Sequence, residues 1–500
     1  MVALLIKAHR DHGAFAGVFA PITPYDQFRY LAWIRDAGEH VLIANRSGSS
    51  SSGHLYLHPI FLLSGLGWRL GLSLQLAYLA WFPAAVGSIL FGFRAYVRRL
   101  LPARRLAATA ALVIALFYLT PLVPLLDYGR IVTATGATDL ITQAGPLAPF
   151  WELWGYLPTA LALGLMPVYF LGLERTLDQV PGGSQHPPPR HLFPVAAAGL
   201  ASAWLSPWGG LTLLLVTIAV GLLQRRLRAL IVPVAAISAP LVYYLILWRV
   251  SPAWGLTAIQ SLGIWDPHWL TTLAVLTPLA LLAAMALRGA GGEPQEQIVR
   301  LWPVVALACF VILPATSRML ALTGATLPLA VLAVRAWNRR VHRAAVGAAG
   351  VALLTLPGMA YAAHTFRDYV RNAATPYTLA QPEMAALRYV ASSRPGRTLT
   401  TPYLSAALPA LVGATSSGGY DLTGANLVLP SDAVERIFNG HASLDATRQA
   451  VVRFDARTLV SDCRPARADL TRLLAPLGYE KRSFGCASVY HSVRQASTSR

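Results

Sequence analysis

Long apolar runs follow one another along the chain from about Leu57 to Tyr361, separated by short segments rich in Arg, Pro or Gly. One helical span of a bilayer core needs about 20 predominantly apolar residues. The breaks at Ser206-Pro207 and after Pro314 predict tight hairpins at the membrane face, because irregular backbone cannot face lipid. The pattern therefore predicts ten transmembrane helices, over residues 74–97, 106–125, 152–173, 192–205, 208–224, 229–248, 269–287, 301–315, 320–336 and 344–361.

The pattern changes near Arg367, where charges and turn residues become frequent and no further apolar span follows. Periodicities of helices and strands alternate here, which predicts a small α/β domain over 367–493, with a polar tail at 494–500. The predicted helices cover 383–393, 431–439, 445–454 and 466–477, and the predicted strands cover 397–402, 458–463, 480–484 and 487–493. The fold class is thus an α-helical polytopic membrane protein with a C-terminal α/β domain.

Residues 1–73 form a third region before the predicted bundle at 74–361. The apolar run from Met1 to Ile6 is followed at once by Lys7, so it is too short for a span or a signal peptide. One explanation is that it is the tail of a first helix that begins upstream. Further on, the apolar residues Phe28, Leu31, Ala32 and Ile34 recur at helical spacing, which predicts an amphipathic helix lying on the bilayer.

Composition excludes several classes of protein. Hydrophobic residues make up 55% of the chain and charged residues 13%, with a mean hydropathy of +0.50. An average soluble domain carries about 25% charged residues, so a cytosolic enzyme, a secreted domain and a disordered chain do not fit. The net charge of +19 comes mainly from Arg between the apolar runs, which is typical of cytoplasmic loops rather than of nucleic-acid binding.

Arginine also predicts the orientation of the bundle. Alternate loops hold most of it: Arg94, Arg98, Arg99, Arg104, Arg105, Arg175, Arg190, Arg225, Arg226, Arg228, Arg288, Arg300, Arg335, Arg339, Arg340 and Arg343. The opposite loops hold Arg130, Arg249 and Arg318. The Arg-rich side is expected to be cytoplasmic, which puts residues 1–73 and 362–500 outside the plasma (inner) membrane. Cys463 and Cys486 would then be able to pair, whereas Cys309 is expected to pack within a span.

Asp26 is the carboxylate at the start of the amphipathic helix, after Pro24-Tyr25. It could simply cap that helix. Alternatively, a carboxylate held at the membrane–water boundary can act as general base on an acceptor hydroxyl. The residues alone leave both interpretations open.

The layout resembles the GT-C superfamily, integral-membrane glycosyltransferases of bacterial and other cells that use lipid-linked sugar donors. The resemblance rests on Phe19 through Gly38 (with P-x-x-P-Y-D-Q-F-R-Y-L-A-W-I-R-x-x-G), HPIF at 58–61, Arg318 before a Pro-containing span, and RTLTTPYLSAALPALVGA in the C-terminal region. It implies an inverting transfer of a hexose or pentose from a polyprenyl-phosphate donor to an extracytoplasmic glycan, lipid or protein, with Asp26 as catalytic base. No paired Asp-Asp or Asp-Glu occurs in this loop.

The same resemblance suggests the rest of a site. Arg318 and Arg249 are expected to bind the donor phosphate, because guanidinium groups bind phosphate in two-point contacts. Tyr25, Arg29 and His58 are predicted substrate contacts, although a lone interfacial His is often structural. Arg318 could equally snorkel to lipid headgroups.

A second acidic group often helps such enzymes hold a divalent cation. Asp127, Asp139 and Glu152 are the candidates, with Asp127 nearest a predicted span end, and each could be an ordinary loop carboxylate. The expected metal is a weakly held Mg or Mn on oxygen ligands. We find no His/Cys/carboxylate cluster with ligand spacing, and neither a P-loop nor a Rossmann fingerprint, so no nucleotide cofactor is expected.

Two other functions are compatible with the sequence. A transporter or flippase would use polar residues inside the spans, but acidic residues are almost absent there. A non-catalytic envelope assembly protein would use the exported domain to bind a partner.

Overall fold

The computed structural model divides the chain into two compact units. The head unit comprises Met1–Leu79, Leu247–Gln260 and Tyr369–Arg500, and the bundle unit comprises Ala80–Ile246 and Ser261–Asp368. The structure describes residues 2–19, 24–46, 53–102, 105–120, 122, 147–178, 189–251, 254, 269–287, 292–313, 320–338, 344–372, 377–393, 396–416 and 431–493.

Helices dominate the chain before the C-terminal region. In chain order they are α1 (Val2–Arg10), α2 (Pro24–His40), α3 (Pro59–Arg69), α4 (Leu74–Leu79), α5 (Phe82–Leu100), α6 (Arg105–Phe117), α7 (Pro149–Glu152), α8 (Leu157–Asp178), α9 (Pro189–Leu205), α10 (Pro207–Leu223), α11 (Ile231–Val250), α12 (Trp269–Ala284), α13 (Pro294–Ile312), α14 (Thr326–Asn338) and α15 (Ala344–Asn372). A 3-10 turn, Leu227–Leu230, precedes α11, and a short strand β1 (Gly13–Phe15) follows α1. Each of the ten predicted spans overlaps one of these helices.

Five helical segments in the described part of the chain are long and apolar enough to cross a membrane by length and composition: Leu74–Leu100, Leu157–Asp178, Leu227–Val250, Pro294–Ile312 and Ala345–Asp368. Four further apolar helices are shorter: Arg105–Phe117, Leu192–Leu205, Pro207–Leu223 and Leu273–Ala284. The predicted class of helical membrane protein is confirmed. The helices found at the ten predicted spans differ in length, and only some of them are long enough to cross a membrane by this criterion. Proline explains one boundary, since Pro207 starts α10 directly after the N-cap Ser206, whose side chain accepts a hydrogen bond from the Gly209 amide.

Small residues allow close helix packing within the bundle unit. A Cβ atom at Gly92 of α5 would lie 2.1 Å from the Gly164 carbonyl oxygen of α8. The Ser88 hydroxyl of α5 donates a hydrogen bond to the Leu161 carbonyl oxygen of α8 at 3.1 Å. Close backbone approach at Gly and Ser is how apolar helices associate in lipid, where no hydrophobic effect drives them together.

The C-terminal region forms a mixed five-stranded sheet with helices. Its elements are β2 (Thr378–Ala380), α16 (Gln381–Ser392), β3 (Arg397–Thr400), α17 (Pro402–Ser405), α18 (Ala407–Leu411), β4 (Thr415–Ser416), α19 (Ser431–Phe438), α20 (Leu444–Phe454), β5 (Thr458–Ser461), α21 (Thr471–Leu474), a 3-10 turn at Ala475–Leu477, β6 (Tyr479–Phe484) and β7 (Ala487–Ser492). The strand order is β4-β3-β5-β7-β6, with β3 parallel to β4 and β5, and β7 antiparallel to β5 and β6. The predicted α/β class of this region is confirmed.

The core of this sheet explains why its strands and helices could be predicted. Leu399 and Leu459 on neighbouring strands are fully buried against Phe438 and Phe454 of two helices. Apolar residues that repeat every second position in the strands and every three to four positions in the helices thus pack in one core.

One predicted helix of the domain is wrong in its first half. Residues 466–470 are not helical, and α21 begins at Thr471. The Asp469 side chain accepts hydrogen bonds from both the amide and the hydroxyl of Thr471, which competes with helix formation. The Arg467 side chain forms ion pairs with the carboxylates of Asp462 and Glu435.

One disulfide and one strand pairing link segments of the head unit. Cys463 and Cys486 form a disulfide, as the extracytoplasmic interpretation of this region allowed, while Cys309 is free and buried in α13. Strand β1 pairs antiparallel with β2, with Gly13 opposite Ala380 and Phe15 opposite Thr378. The start of the chain and the α/β domain therefore belong to the same head unit.

Candidate functional site

Helix α2 presents the amphipathic face that its sequence predicts. Phe28, Leu31, Ala32 and Ile34 are all buried, at 5% exposure or less. The helix crosses α3 closely, because a Cβ atom at Gly65 would lie 2.5 Å from the Gly38 amide nitrogen. The buried face and this crossing fix how the polar residues of α2 are presented.

Asp26 lies in the first turn of α2 rather than at its N-cap, since the helix begins at Pro24. A first-turn carboxylate also favours the helix N-terminus, so both interpretations of Asp26 stay predictions. Its carboxylate lies 3.8 Å from Nη1 of Arg29, one turn further along, and the two side chains are 35% and 32% exposed. A carboxylate that is half-buried beside a cation is still reachable by a substrate hydroxyl.

The segment that leads to Asp26 is held from two sides. The Ala16 amide donates to the Tyr377 carbonyl oxygen at 2.8 Å, continuing the β1–β2 ribbon. The Phe19 amide donates to the Gln27 side-chain oxygen at 2.6 Å. The position of Asp26 thus depends on the chain that enters the α/β domain.

Several of the other predicted site residues lie outside the described residues. Arg318 and Asp127 lie outside the described residues, and so do the side chain of Tyr25 and the candidate Asp139. Arg249 is exposed near the end of α11. The candidate Glu152, which ends α7, is 2% exposed.

His58 belongs to a cluster of aromatic side chains in the head unit. It is the N-cap residue of α3, is 4% exposed, and its ring stacks on Phe61 with centroids 4.3 Å apart. Trp33 contacts Phe61, Tyr56 and Trp254, at centroid distances of 5.4, 5.3 and 5.5 Å. In this structure His58 is a packed residue of that cluster.

A charged cluster that the sequence pattern did not predict lies at the other end of α2. Asp36, only 1% exposed, receives hydrogen bonds from the Ala44 amide at 2.5 Å and from Nε of Arg46 at 2.8 Å. Nδ1 of His40 lies 3.3 Å from Asp36 Oδ1, and Nδ1 of His54 lies 3.1 Å from Oδ2. The signal available was Asp36 and His40 four residues apart on one helix, but His54 lies beyond the Gly/Ser segment at 47–53.

Two arginines connect this cluster to the α/β domain. Nε of Arg35 donates to the Ala410 carbonyl oxygen at 2.9 Å, and Nη2 donates to that of Leu411 at 3.0 Å. Nη1 of Arg46 donates to the Gly413 carbonyl oxygen at 2.6 Å. The Ala410 and Leu411 carbonyls end helix α18, where cations are favoured by the helix dipole, and Gly413 follows two residues later. Burial lowers the pKa of the Arg35 guanidinium.

The residues Asp36, His40 and His54 form a possible metal site, since their ligand atoms lie within 4.8 Å of one another. The expectation that the chain has no His/carboxylate cluster is therefore wrong. Sequence spacing could not reveal it because one ligand comes from across the loop. Two imidazoles and a carboxylate suit zinc better than the Mg or Mn predicted on oxygen ligands.

A second ionic cluster lies inside the α/β domain. Asp462 is fully buried and accepts hydrogen bonds from Arg467 Nε at 2.7 Å and from the Thr401 hydroxyl at 2.7 Å. Burial alone would raise the pKa of Asp462, but the hydrogen bonds from Arg467 and Thr401 lower it overall. Nη1 of Arg467 also binds Glu435 at 2.5 Å.

No protein-family model matches the chain, and no curated protein matches it. Among solved structures, ArnT from Cupriavidus metallidurans bound to undecaprenyl phosphate is 14% identical to it, with a TM-score of 0.49 and 94% of both chains covered. The apo state of the same protein gives 13% identity, a TM-score of 0.46, and coverage of 93% of this chain and 92% of that one. Archaeal oligosaccharyltransferase AglB from Archaeoglobus fulgidus, in complex with an inhibitory peptide and a dolichol-phosphate, gives 12% identity and a TM-score of 0.46 over 95% of this chain and 71% of that chain. At these identities and TM-scores, the proposals below rest on the residues of this chain.

Proposed function

We propose that the chain is a membrane glycosyltransferase of the GT-C type, which moves a sugar from a polyprenyl-phosphate donor to an extracytoplasmic acceptor. The observation that carries the proposal is the position of Asp26. It is a half-exposed carboxylate in the first turn of an amphipathic helix, followed in sequence by a series of apolar helices. The sequence resemblance assigns the catalytic base to this same residue.

In the proposed reaction, Asp26 accepts the proton of the acceptor hydroxyl as its oxygen attacks the anomeric carbon of the donor sugar. The new bond joins that carbon to the acceptor oxygen. The bond from the carbon to the donor phosphate breaks, and polyprenyl phosphate leaves with the electron pair. Attack from the opposite face inverts the anomeric centre. Arg29, which lies 3.8 Å from Asp26, is assigned contact with the substrate.

Phosphate binding and metal binding complete the proposal. Arg318 and Arg249 are assigned to the donor phosphate, whose negative charge grows as the sugar departs, and guanidinium groups are suited to that contact. Tyr25 and His58 are assigned to substrate binding, and Asp127 to a weakly held Mg or Mn ion. Residues 1–73 and 362–500 are assigned to the outer face of the plasma membrane, because Arg marks the opposite loops.

The test is donor consumption by purified, folded protein, with a panel of polyprenyl-phosphate sugars and extracytoplasmic acceptors. We expect Asp26→Asn to lower the turnover by roughly 100- to 10,000-fold, the contribution typical of a general base. Asp11→Asn is the matched control, because Asp11 is another exposed carboxylate of the same region, paired with Lys7 at 3.2 Å. It should keep wild-type turnover.

Two results would contradict the proposal. If Asp26→Asn retains sugar transfer, Asp26 is not the catalytic base. If folded wild-type protein consumes no donor, a transporter or an assembly protein is favoured instead.

A further inference from the structure

The cluster at the end of α2 brings together a ligand set that the proposed reaction does not use. His40 and His54 stack with ring centroids 3.9 Å apart, and Nδ1 of each ring faces the carboxylate of Asp36. Asp36 is 1% exposed, whereas the side chains of His40 and His54 are 41% and 38% exposed. The anionic ligand is thus buried and fixed, while the imidazoles remain open to solvent.

We propose that Asp36, His40 and His54 bind a zinc-type divalent metal ion, which fastens the loop after α2 to that helix. Tetrahedral zinc with ligands at about 2.0–2.1 Å requires its ligand atoms to be about 3.3 Å apart. The two measured distances from imidazole Nδ1 to carboxylate oxygen are 3.3 and 3.1 Å. Each imidazole therefore already lies at about the length of one tetrahedral edge from its own carboxylate oxygen, Oδ1 for His40 and Oδ2 for His54.

Charged groups of both signs lie beside this site. Glu39 Oε2 lies 4.0 Å from Nδ1 of His40 and is a further anionic ligand within reach. Arg46 donates to Asp36 Oδ1, and the Ala44 amide donates to Oδ2, which is how ligating carboxylates are oriented in metal sites. Nδ1 of His54 also lies 3.1 Å from the Leu42 carbonyl oxygen, the contact that a metal ion would replace.

This site is separate from the proposed catalytic base. Asp26 and Asp36 are ten positions apart on one helix, which corresponds to about 15 Å at 1.5 Å per residue. The metal ion would therefore act on structure rather than on the reacting hydroxyl. The sequence between the histidines includes SGSSSSG at 47–53, which offers no apolar side chain for packing, so a metal cross-link would supply a hold on this loop.

The test is titration of the purified full chain in detergent with Co²⁺, whose visible absorption reports tetrahedral nitrogen and oxygen ligands, followed by displacement with Zn²⁺. We expect one Co²⁺ per chain and loss of the absorption on adding Zn²⁺. His40→Ala and His54→Ala should each lower the Co²⁺ affinity by roughly 100-fold, since even partners outside the ligand set contribute 10- to 100-fold. Zn²⁺ should raise the melting temperature of the wild type but not of the variants.

His364→Ala is the matched control. His364 pairs with Asp368 four residues away, at 3.5 Å, but belongs to a different part of the chain and to no such cluster among the described residues. It should bind Co²⁺ as the wild type does, and so should Asp26→Asn, which separates this proposal from the catalytic one. The proposal is overturned if folded wild type binds no Co²⁺, or if the double variant His40→Ala/His54→Ala, melting like metal-free wild type, binds it unchanged.

Discussion

Two buried aspartates of the head unit are both held by arginine, yet their surroundings differ. Asp462 is bound by Arg467, itself only 6% exposed, by the Thr401 hydroxyl, and by Arg464, which is 43% exposed. Asp36 is equally buried, but its partner Arg46 is 24% exposed and the two histidines beside it are more exposed still. We call the Asp462 cluster closed, because two arginines balance its charge, and the Asp36 cluster open, because two partly exposed imidazoles that can bind a ligand lie beside it.

The largest effect is expected from breaking the closed cluster. Arg467→Ala should cost about 3–5 kcal/mol of the free energy of unfolding, because it removes the buried partner of Asp462 and leaves the exposed Arg464 alone to balance Asp462 and Glu435. Amide hydrogen exchange of strands β3, β5 and β7 under increasing denaturant would measure the loss, because residues 367–500 contain no Trp that could report it by fluorescence. Arg448→Ala is the control, since Arg448 pairs with Asp445 at 3.8 Å on the exposed surface and should change stability by less than about 0.5 kcal/mol. A loss of similar size in both variants would show that the cluster is not what stabilises the domain.

A smaller effect is expected from breaking the open cluster. Arg46→Ala should cost about 1–3 kcal/mol, because it removes hydrogen bonds to Asp36 and to the Gly413 carbonyl, while the Ala44 amide and water still reach the carboxylate. The same unfolding measurement applies, with the exposed Arg436→Ala as control. If Arg46→Ala proved as damaging as Arg467→Ala, the distinction between open and closed clusters would fail.

The smallest effect is expected from acid. The pKa of Asp462 is lower in the folded chain than its ordinary value, because hydrogen bonds from Arg467 and Thr401 outweigh burial. Its contribution to stability is therefore complete above the unfolded pKa of about 3.9 and is lost as the pH falls through the folded pKa. The melting temperature of wild type should fall below about pH 4, and that of Arg467→Ala should fall less steeply. Parallel curves for the two proteins would argue against this assignment.

The elements that could be predicted share a local cause. Helix α16 was predicted at 383–393 and found at Gln381–Ser392, and β7 was predicted at 487–493 and found at Ala487–Ser492. In both, apolar residues repeat at the period of the element and fill the adjacent core. The two-residue strand β4 has no such repeat, and the helix predicted from 466 failed where Asp469 forms a local side-chain turn.

Within the candidate site, too, only the residue marked by a local sequence pattern could be predicted. Asp26 stood out because it precedes an amphipathic helical pattern, and the structure gives the helix that the pattern predicted. Asp36 did not stand out, because its partners Arg46 and His54 come from a loop whose path no periodicity encodes. The same is true of Arg35, whose acceptors lie 375 and 376 residues further along the chain.

The sequence by itself determined the membrane class, the positions of the apolar helices, the α/β character of the last region and the prominence of Asp26. These follow from hydrophobic periodicity, which acts between residues a few positions apart and drives burial of one face. Tertiary structure alone decided the pairing of β1 with β2, the arginine contacts with the end of α18 and the meeting of Asp36 with two histidines. Those contacts depend on hydrogen bonds and charges between segments far apart in sequence, and their distances and angles are set by the folded backbone.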